Sequence, residues 1–192
     1  MTLGDIAAEP LRKPAWYGSP VDRTFPLPTC TLRPWRQSDL DSLVRHANDP
    51  RIAATVRDHF PSPYTREDGL RWLSHATTLG RDTSLAIDVD GNAVGGIGAI
   101  AGEDVHRICA EIGYWLGHEL WGRGIMTDAV RSYSEHLLRE RGFLRLEAPV
   151  FAMNPASARV LEKAGFERES VQRRAAIKAG KIIDVWLYVR LA

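Results

Sequence analysis

The chain has 192 residues, a length that suits one domain with a substantial core. Its 25 basic and 24 acidic residues leave a net charge of +1, so no strong field argues for nucleic-acid or membrane binding. Two cysteines, no apolar run of 18 residues and no signal-peptide pattern predict a reduced, cytoplasmic protein without a membrane span.

The first half of the chain predicts an arm, a strand, three short helices and a hairpin. Residues 1–28 contain several prolines without a period and are predicted to form an irregular arm, and residues 29–192 a single domain. A first strand is predicted over residues 29–35 and is followed by the helices. Asp90-Gly91 then separates two strand-like stretches, 84–89 and 93–100, which is a strong hairpin signal.

A strand followed by a helix is predicted across residues 108–141. The strand part alternates in period two up to Leu116, and apolar residues recur at helical spacing from Met126 onward. Gly122-Arg123-Gly124 lies between them. A turn of this kind presents unpaired N–H groups, and the positive end of the helix dipole, to an anion. By itself the turn is weak evidence, because it matches neither a dinucleotide fingerprint nor a Walker loop.

A second strand–helix unit follows. Residues 144–150 alternate as a strand, Asn154 is predicted to cap the next helix, and Gly165 to end it. Ser157 shares the apolar face of this helix, although an inward serine near a helix start is more often bonded to nearby backbone than reactive. Pro149 favours a place where neighbouring strands separate, since a central strand would lose a ladder hydrogen bond there.

Four segments taken together resemble the GNAT-type N-acetyltransferases, and within them the Rim-type branch that acetylates the N-termini of ribosomal proteins. The resemblance implies an α+β domain whose mixed, mostly antiparallel sheet has about six to seven strands, splayed between the fourth and fifth, with helices on both faces. It also implies acetyl-CoA as co-substrate in the gap. The segments are Ala110-Glu111-Ile112-Gly113-Tyr114-Trp115-Leu116, Gly122-Arg123-Gly124-Ile125-Met126-Thr127, Asn154-Pro155-Ala156-Ser157 and Lys163-Ala164-Gly165-Phe166.

The resemblance places the pyrophosphate of acetyl-CoA on main-chain N–H groups of the turn, and it implies no metal. This chain departs from the family pattern at Trp121, where Gln or Arg is usual, and at Met126, where a small residue is usual. Neither change removes a backbone donor, but side-chain help from position 121 is put in doubt. The residues expected to bind the cofactor are Trp115, Leu116, Gly122, Arg123, Gly124, Ile125, Met126, Thr127, Asn154 and Ser157.

Acetyl transfer to an amine needs a neutral nucleophile, a polarised thioester carbonyl and a stabilised leaving thiolate. An α-amine has a pKa of about 8 and a lysine about 10.4, so deprotonation at pH 7 costs about 1.4 against about 4.6 kcal/mol. One carboxylate, acting directly or through a water, would therefore serve an α-amine acceptor.

The resemblance puts this base at Glu169 and a donor to the leaving thiol at Ser157. Glu111 is the second candidate base, with a structural ion pair to an arginine as an equal alternative, and His118 is a weaker third. Some family members carry an acid tyrosine four residues beyond the serine, where this chain has Leu161, so the acid is Ser157 or solvent. An oxyanion donor is expected from a backbone N–H near residues 115–116.

The predicted function is transfer of acetyl from acetyl-CoA to a primary amine, with the N-terminal α-amine of a protein as the favoured acceptor. A small-molecule amine such as an antibiotic, a polyamine or an amino acid derivative is the alternative. A non-catalytic acyl-CoA sensor is a third reading, because a fold and its motifs do not guarantee activity. A long terminal hairpin around Ala179-Gly180 is compatible with a homodimer interface.

Overall fold

The computed structural model of the protein describes residues 24–78 and 83–192. Most of the predicted N-terminal arm lies outside these ranges. The strands are β1 Phe25–Pro26, β2 Thr31–Arg33, β3 Thr83–Val89, β4 Asn92–Ala101, β5 Cys109–Leu116, β6 Arg145–Phe151, β7 Glu167–Lys178 and β8 Lys181–Leu191. The α-helices are α1 Leu40–Ala47, α2 Pro50–Ala53, α3 Arg66–Thr78, α4 Ile125–Arg139 and α5 Pro155–Lys163.

The strands form one sheet in the order β1-β2-β3-β4-β5-β6-β8-β7, in which only β5 and β6 pair in parallel within the described ranges. The predicted α+β class and the mixed, mostly antiparallel sheet are confirmed. The sheet has eight strands instead of the predicted six to seven. The difference includes β1, since residues 25–26 were assigned to an irregular arm yet pair with β2.

The predicted splay lies between β5 and β6. These were predicted as the fourth and fifth strands, and they become the fifth and sixth because β1 precedes them. The two strands pair at three positions, the last joining Glu111 to Glu147. Beyond these residues β6 continues beside β8, with Pro149 opposite Leu187, and β5 continues beside β4. A gap therefore opens in the middle of the sheet, as the proline in β6 predicts.

Each face of the sheet has its own helices and its own apolar core. On one face α1 and α3 pack through Leu43 and Leu73 around Trp35. On the other face α4 and α5 pack through Tyr133 and Leu161, both fully buried. Side chains alternate along a strand, so β5 and β6 each contribute side chains to both faces of the sheet. The gap between these two strands connects one face with the other.

Among the described residues no helix is long and apolar enough to cross a membrane. The predicted terminal hairpin is present as β7 and β8, joined by Ala179 and Gly180 at φ values of 48° and 74°. A homodimer through this hairpin and a cytoplasmic location both stay predictions.

Candidate active site

The turn before α4 leaves open space in front of the helix. Gly122 and Gly124 have φ values of 78° and 81°, in the left-handed region that favours glycine. A Cβ built on either residue would meet nothing within 4 Å. Gly124 is the N-cap of the 15-residue α4, so the first N–H groups of that helix point to the same space. The turn therefore has the geometry of a phosphate site.

A cavity of about 1350 Å³ begins at this turn, runs through the gap between β5 and β6 and opens on the face covered by α3. It is lined by all the predicted cofactor residues except Arg123. The side chain of Arg123 is exposed outside this lining, and its predicted contact with the cofactor, which uses the backbone N–H groups of the turn, stays a prediction. Ile125 and Met126 are buried in the core, which leaves their backbone amides as the groups available to a phosphate.

The free edge of β5 supplies backbone groups to the gap. Gly117 N–H donates to Val94 O at 2.8 Å, so odd-numbered residues of β5 bond to β4. Tyr114 and Leu116 consequently turn their backbone groups toward the gap. The backbone N–H of Trp115 faces β4, which favours Leu116 over Trp115 as an oxyanion donor. An amide-bearing arm such as pantetheine fits this edge as an added strand would.

Trp121 connects the glycine turn to the end of β5. Its indole Nε1 donates to Leu116 O at 2.8 Å, and its ring lies 4.7 Å from the His118 ring, centroid to centroid. The usual Gln or Arg at position 121 is thus replaced by a side chain that holds the strand end. His118 does not line the cavity, and nothing in its placement supports a role as base.

Ser157 lies in the first turn of α5, where the cap orients it. Its backbone N–H donates to Asn154 Oδ1 at 3.1 Å, as the sequence predicts for a capped helix. Its hydroxyl lies 2.8 Å from the phenol oxygen of Tyr114, and both side chains line the cavity. Burial raises the pKa of the Tyr114 phenol, so this group stays protonated and is able to donate a hydrogen bond.

Tyr114 was not singled out from sequence, although the missing tyrosine at position 161 raised the question of a second hydroxyl. Tyr114 and Ser157 are 43 positions apart and belong to different elements. The sequence signal that could have identified Tyr114 is the alternation of side chains along β5. This alternation puts Tyr114 on the α5 face, opposite to Glu111 and Trp115.

Glu111 lines the cavity on the face opposite to Ser157. It forms an ion pair with Arg57, which follows α2, and it faces Glu147 of β6 where the two strands separate. Glu147 also lines the cavity and accepts from Arg145 Nε at 2.6 Å. The carboxylates of Glu111 and Glu147 therefore both lie at the apex of the gap, where β5 and β6 separate. Glu147 was not identified as a candidate from the sequence.

Glu169 does not line the cavity. Both of its oxygens accept from Arg145, at 2.9 and 2.6 Å, in a bidentate pair. Hydrogen bonds from Arg145 lower the pKa of Glu169, which makes this carboxylate a weaker base. The first and second sequence-based candidates for the base thus differ in placement, since Glu111 lines the cavity and Glu169 does not.

Other charged groups complete the cofactor side. Arg159 and Lys163 of α5 line the cavity beyond Ser157, and both are exposed cations suited to the phosphates of coenzyme A. Within residues 24–78 and 83–192 no group of three or more His, Cys, Asp or Glu side chains could hold a metal ion. The arrangement fits acetyl-CoA: a cradle of amides, a free strand edge and a hydroxyl pair lie along one cavity.

Comparison with known proteins agrees with this geometry. Residues 30–167 match the family model described as an acetyltransferase (GNAT) domain. The "Uncharacterized N-acetyltransferase p20" of Bacillus licheniformis is 26% identical over 160 residues, covering 82% of this chain and 90% of the relative. The solved structure of RimL, named a "Ribosomal L7/L12 alpha-N-protein acetyltransferase", in complex with coenzyme A has a TM-score of 0.79 at 23% identity, covering 88% of this chain and 98% of that one.

A second solved structure is that of the microcin C7 self-immunity acetyltransferase MccE in complex with acetyl-CoA and AMP. Its TM-score is 0.75 at 20% identity, covering 86% of this chain and 93% of that one. The predicted fold and the Rim-type resemblance are thus confirmed, with structures of this kind holding coenzyme A or acetyl-CoA. The chain belongs to the GNAT acetyltransferase family and is an acetyl-CoA-dependent N-acetyltransferase.

Proposed function

We propose that the protein acetylates the N-terminal α-amine of a protein or peptide. The proposal rests on one observation: a single cavity joins the Tyr114–Ser157 hydroxyl pair on one face of the splayed sheet to Glu111 on the other. Acetyl-CoA supplies the acetyl thioester from the α4 side, and the acceptor amine approaches from the α3 side. The two substrates then meet at the apex of the gap.

In this arrangement Glu111 takes the proton of the acceptor ammonium. Glu111 is paired with Arg57, whose side chain is half-exposed. The acceptor amine can therefore take the place of the guanidinium at Glu111, and the displaced arginine is not left as a buried, unpaired charge. The Ser157 hydroxyl, held by Tyr114, donates a hydrogen bond to the leaving sulfur, whose ordinary thiol pKa is about 8.5. Backbone N–H groups on the free edge of β5 polarise the thioester carbonyl.

An α-amine is preferred to a lysine as acceptor because Glu111 has to supply less free energy to deprotonate it. The energetic demand on that carboxylate is about 1.4 kcal/mol for an α-amine at pH 7 and about 4.6 kcal/mol for a lysine. The fold of RimL, whose name specifies α-N-protein acetylation, supports the same acceptor. The likeness to MccE keeps a small-molecule amine as the second candidate.

A thiol-release assay tests the acceptor class. Initial rates with acetyl-CoA are measured for peptides with a free N-terminus, for the same peptides with an acetylated N-terminus and one internal lysine, and for small amines. We expect release with the free peptides, and at least tenfold less with the blocked ones. Turnover of small amines alone would show that the acceptor is a small-molecule amine and not a protein. Binding of acetyl-CoA without release of its thiol on any acceptor would favour a non-catalytic acyl-CoA sensor.

Removal of the Ser157 hydroxyl should slow the chemical step. A hydrogen bond to a charged group contributes about 1.5–3 kcal/mol, so Ser157→Ala should lower kcat about 10- to 150-fold with a small change in the KM for acetyl-CoA. Tyr114→Phe removes only the bond that positions Ser157 and should lower kcat about 3- to 10-fold. Steady-state kinetics of both variants check this order, and an unchanged kcat in Ser157→Ala would remove that residue from the mechanism.

A further inference from the structure

Glycine residues without side chains lie next to Glu111, the proposed base. On the face that carries Glu111, the next position along β5 is Gly113, and its partner across to β4 is Gly98. Both residues line the cavity. A Cβ built on Gly113 would meet nothing within 4 Å, so nothing in the described part of the chain fills the space above this residue. We call this space, above Gly113, the glycine-floored slot.

Aromatic side chains form the wall of the slot. Trp115, two residues beyond Gly113 on the same face, packs edge-on against Phe60 with ring centroids 5.7 Å apart. Trp72 of α3 also lines the cavity and packs edge-on against Trp35 at 6.3 Å. Phe60, Trp115 and Trp72 thus each have an aromatic ring packed against them.

The charged side chains near the slot already have partners. Asp68 pairs with Arg71 on α3, and Glu111 pairs with Arg57. When the acceptor amine takes the place of the Arg57 guanidinium at Glu111, the half-exposed arginine returns to solvent. The surface left for the acceptor side chain is then mainly apolar and aromatic. Such surface favours a ring or a large apolar group, because aromatic pairs gain packing energy beyond the area that they bury.

We propose that the slot selects acceptors with an aromatic or large apolar group on the carbon next to the amine. This inference rests on the proposed function, since it takes Glu111 as the group that meets the amine. Glu111 and Gly113 are two residues apart along one strand, about 6.6 Å. An amine at Glu111 thus puts the side chain of the first acceptor residue over the glycine floor. In a peptide acceptor this class is N-terminal Phe, Tyr, Trp or Leu.

The test uses the full chain and peptides that differ only in their first residue, Phe, Leu, Ala or Asp, together with phenylalanine amide. We expect kcat/KM for the Phe peptide to exceed that for the Ala peptide by about 10- to 100-fold, with Asp lowest. Gly113→Val should reduce the Phe/Ala ratio at least tenfold, because its side chain occupies the slot, and Gly113→Ala should fall between. Phe60→Leu removes an aromatic wall at similar volume and should lower the Phe rate more than the Leu rate.

Melting temperature and acetyl-CoA affinity of each variant separate a filled slot from a misfolded chain. Equal kcat/KM for the Phe and Ala peptides in the unmodified protein, or a ratio that Gly113→Val leaves unchanged, would overturn the slot while leaving the proposed function in place. Turnover of phenylalanine amide with no turnover of any peptide would have the opposite meaning: the slot stands, and the protein acceptor fails.

Discussion

Glu111→Gln should lower kcat about 10²- to 10⁴-fold near pH 7, the range that a general base contributes. The amide keeps the size of the side chain and its place at the apex of the gap, but it cannot take a proton from the acceptor ammonium. The deficit should shrink as pH rises past about 8, because an α-amine then loses its proton to water without help. Initial rates for one peptide from pH 6 to pH 9 measure this change.

Glu169→Gln is the matched control for Glu111→Gln. It is the same substitution on the carboxylate that the sequence favoured, but Glu169 lies outside the cavity in its pair with Arg145. We expect its kcat to change less than threefold at any pH in this range, as for an exposed ion pair. A large, pH-dependent loss in Glu169→Gln, with little loss in Glu111→Gln, would restore the sequence-based assignment.

Gly124→Val should weaken acetyl-CoA binding about 10²- to 10⁴-fold. The valine side chain would occupy the space in front of α4 and separate the phosphates from at least two backbone N–H groups, each worth about 1.5–3 kcal/mol to a charged partner. Titration calorimetry with acetyl-CoA measures the affinity. Because the change acts on phosphate binding, affinity for the pantetheine portion alone should change much less.

Gly91→Val separates backbone strain from the loss of the phosphate site. Gly91 has a φ of 82° against 81° at Gly124, and a Cβ at either position meets nothing within 4 Å, so both variants carry the same kind of strain. Gly91 lies in the turn between β3 and β4, outside the cavity. We expect Gly91→Val to lower the melting temperature with acetyl-CoA affinity retained. An equal loss of affinity in both variants, or normal affinity in Gly124→Val, would contradict the phosphate assignment.

The parts of the site whose geometry depends only on residues adjacent in the chain could be predicted from the sequence. The glycines of the turn, the cap at Asn154 and the stop at Gly165 follow from local backbone geometry, which a few adjacent residues decide. The proline in β6 favoured a separation of neighbouring strands for the same reason, and the family resemblance implied the splay. The glycine turn and the capped position of Ser157 therefore needed no long-range information, whereas the phosphate assignment of the turn came from four segments taken together.

The placement of the candidate catalytic residues relative to one another was decided by the tertiary structure. Sequence motifs favoured Glu169, but the register of β7 and β8 places it beside Arg145, and the end of the β5–β6 pairing places Glu111 at the apex. The bond between Tyr114 and Ser157 depends on how α5 packs on the splayed sheet. Distances between residues far apart in the chain are set by strand register and helix packing, and no local pattern encodes them. The sequence alone thus determined the family, the glycine turn and the capped serine, whereas the proposed base, the partner of the serine and the proposed glycine-floored slot emerged when the strands were placed side by side.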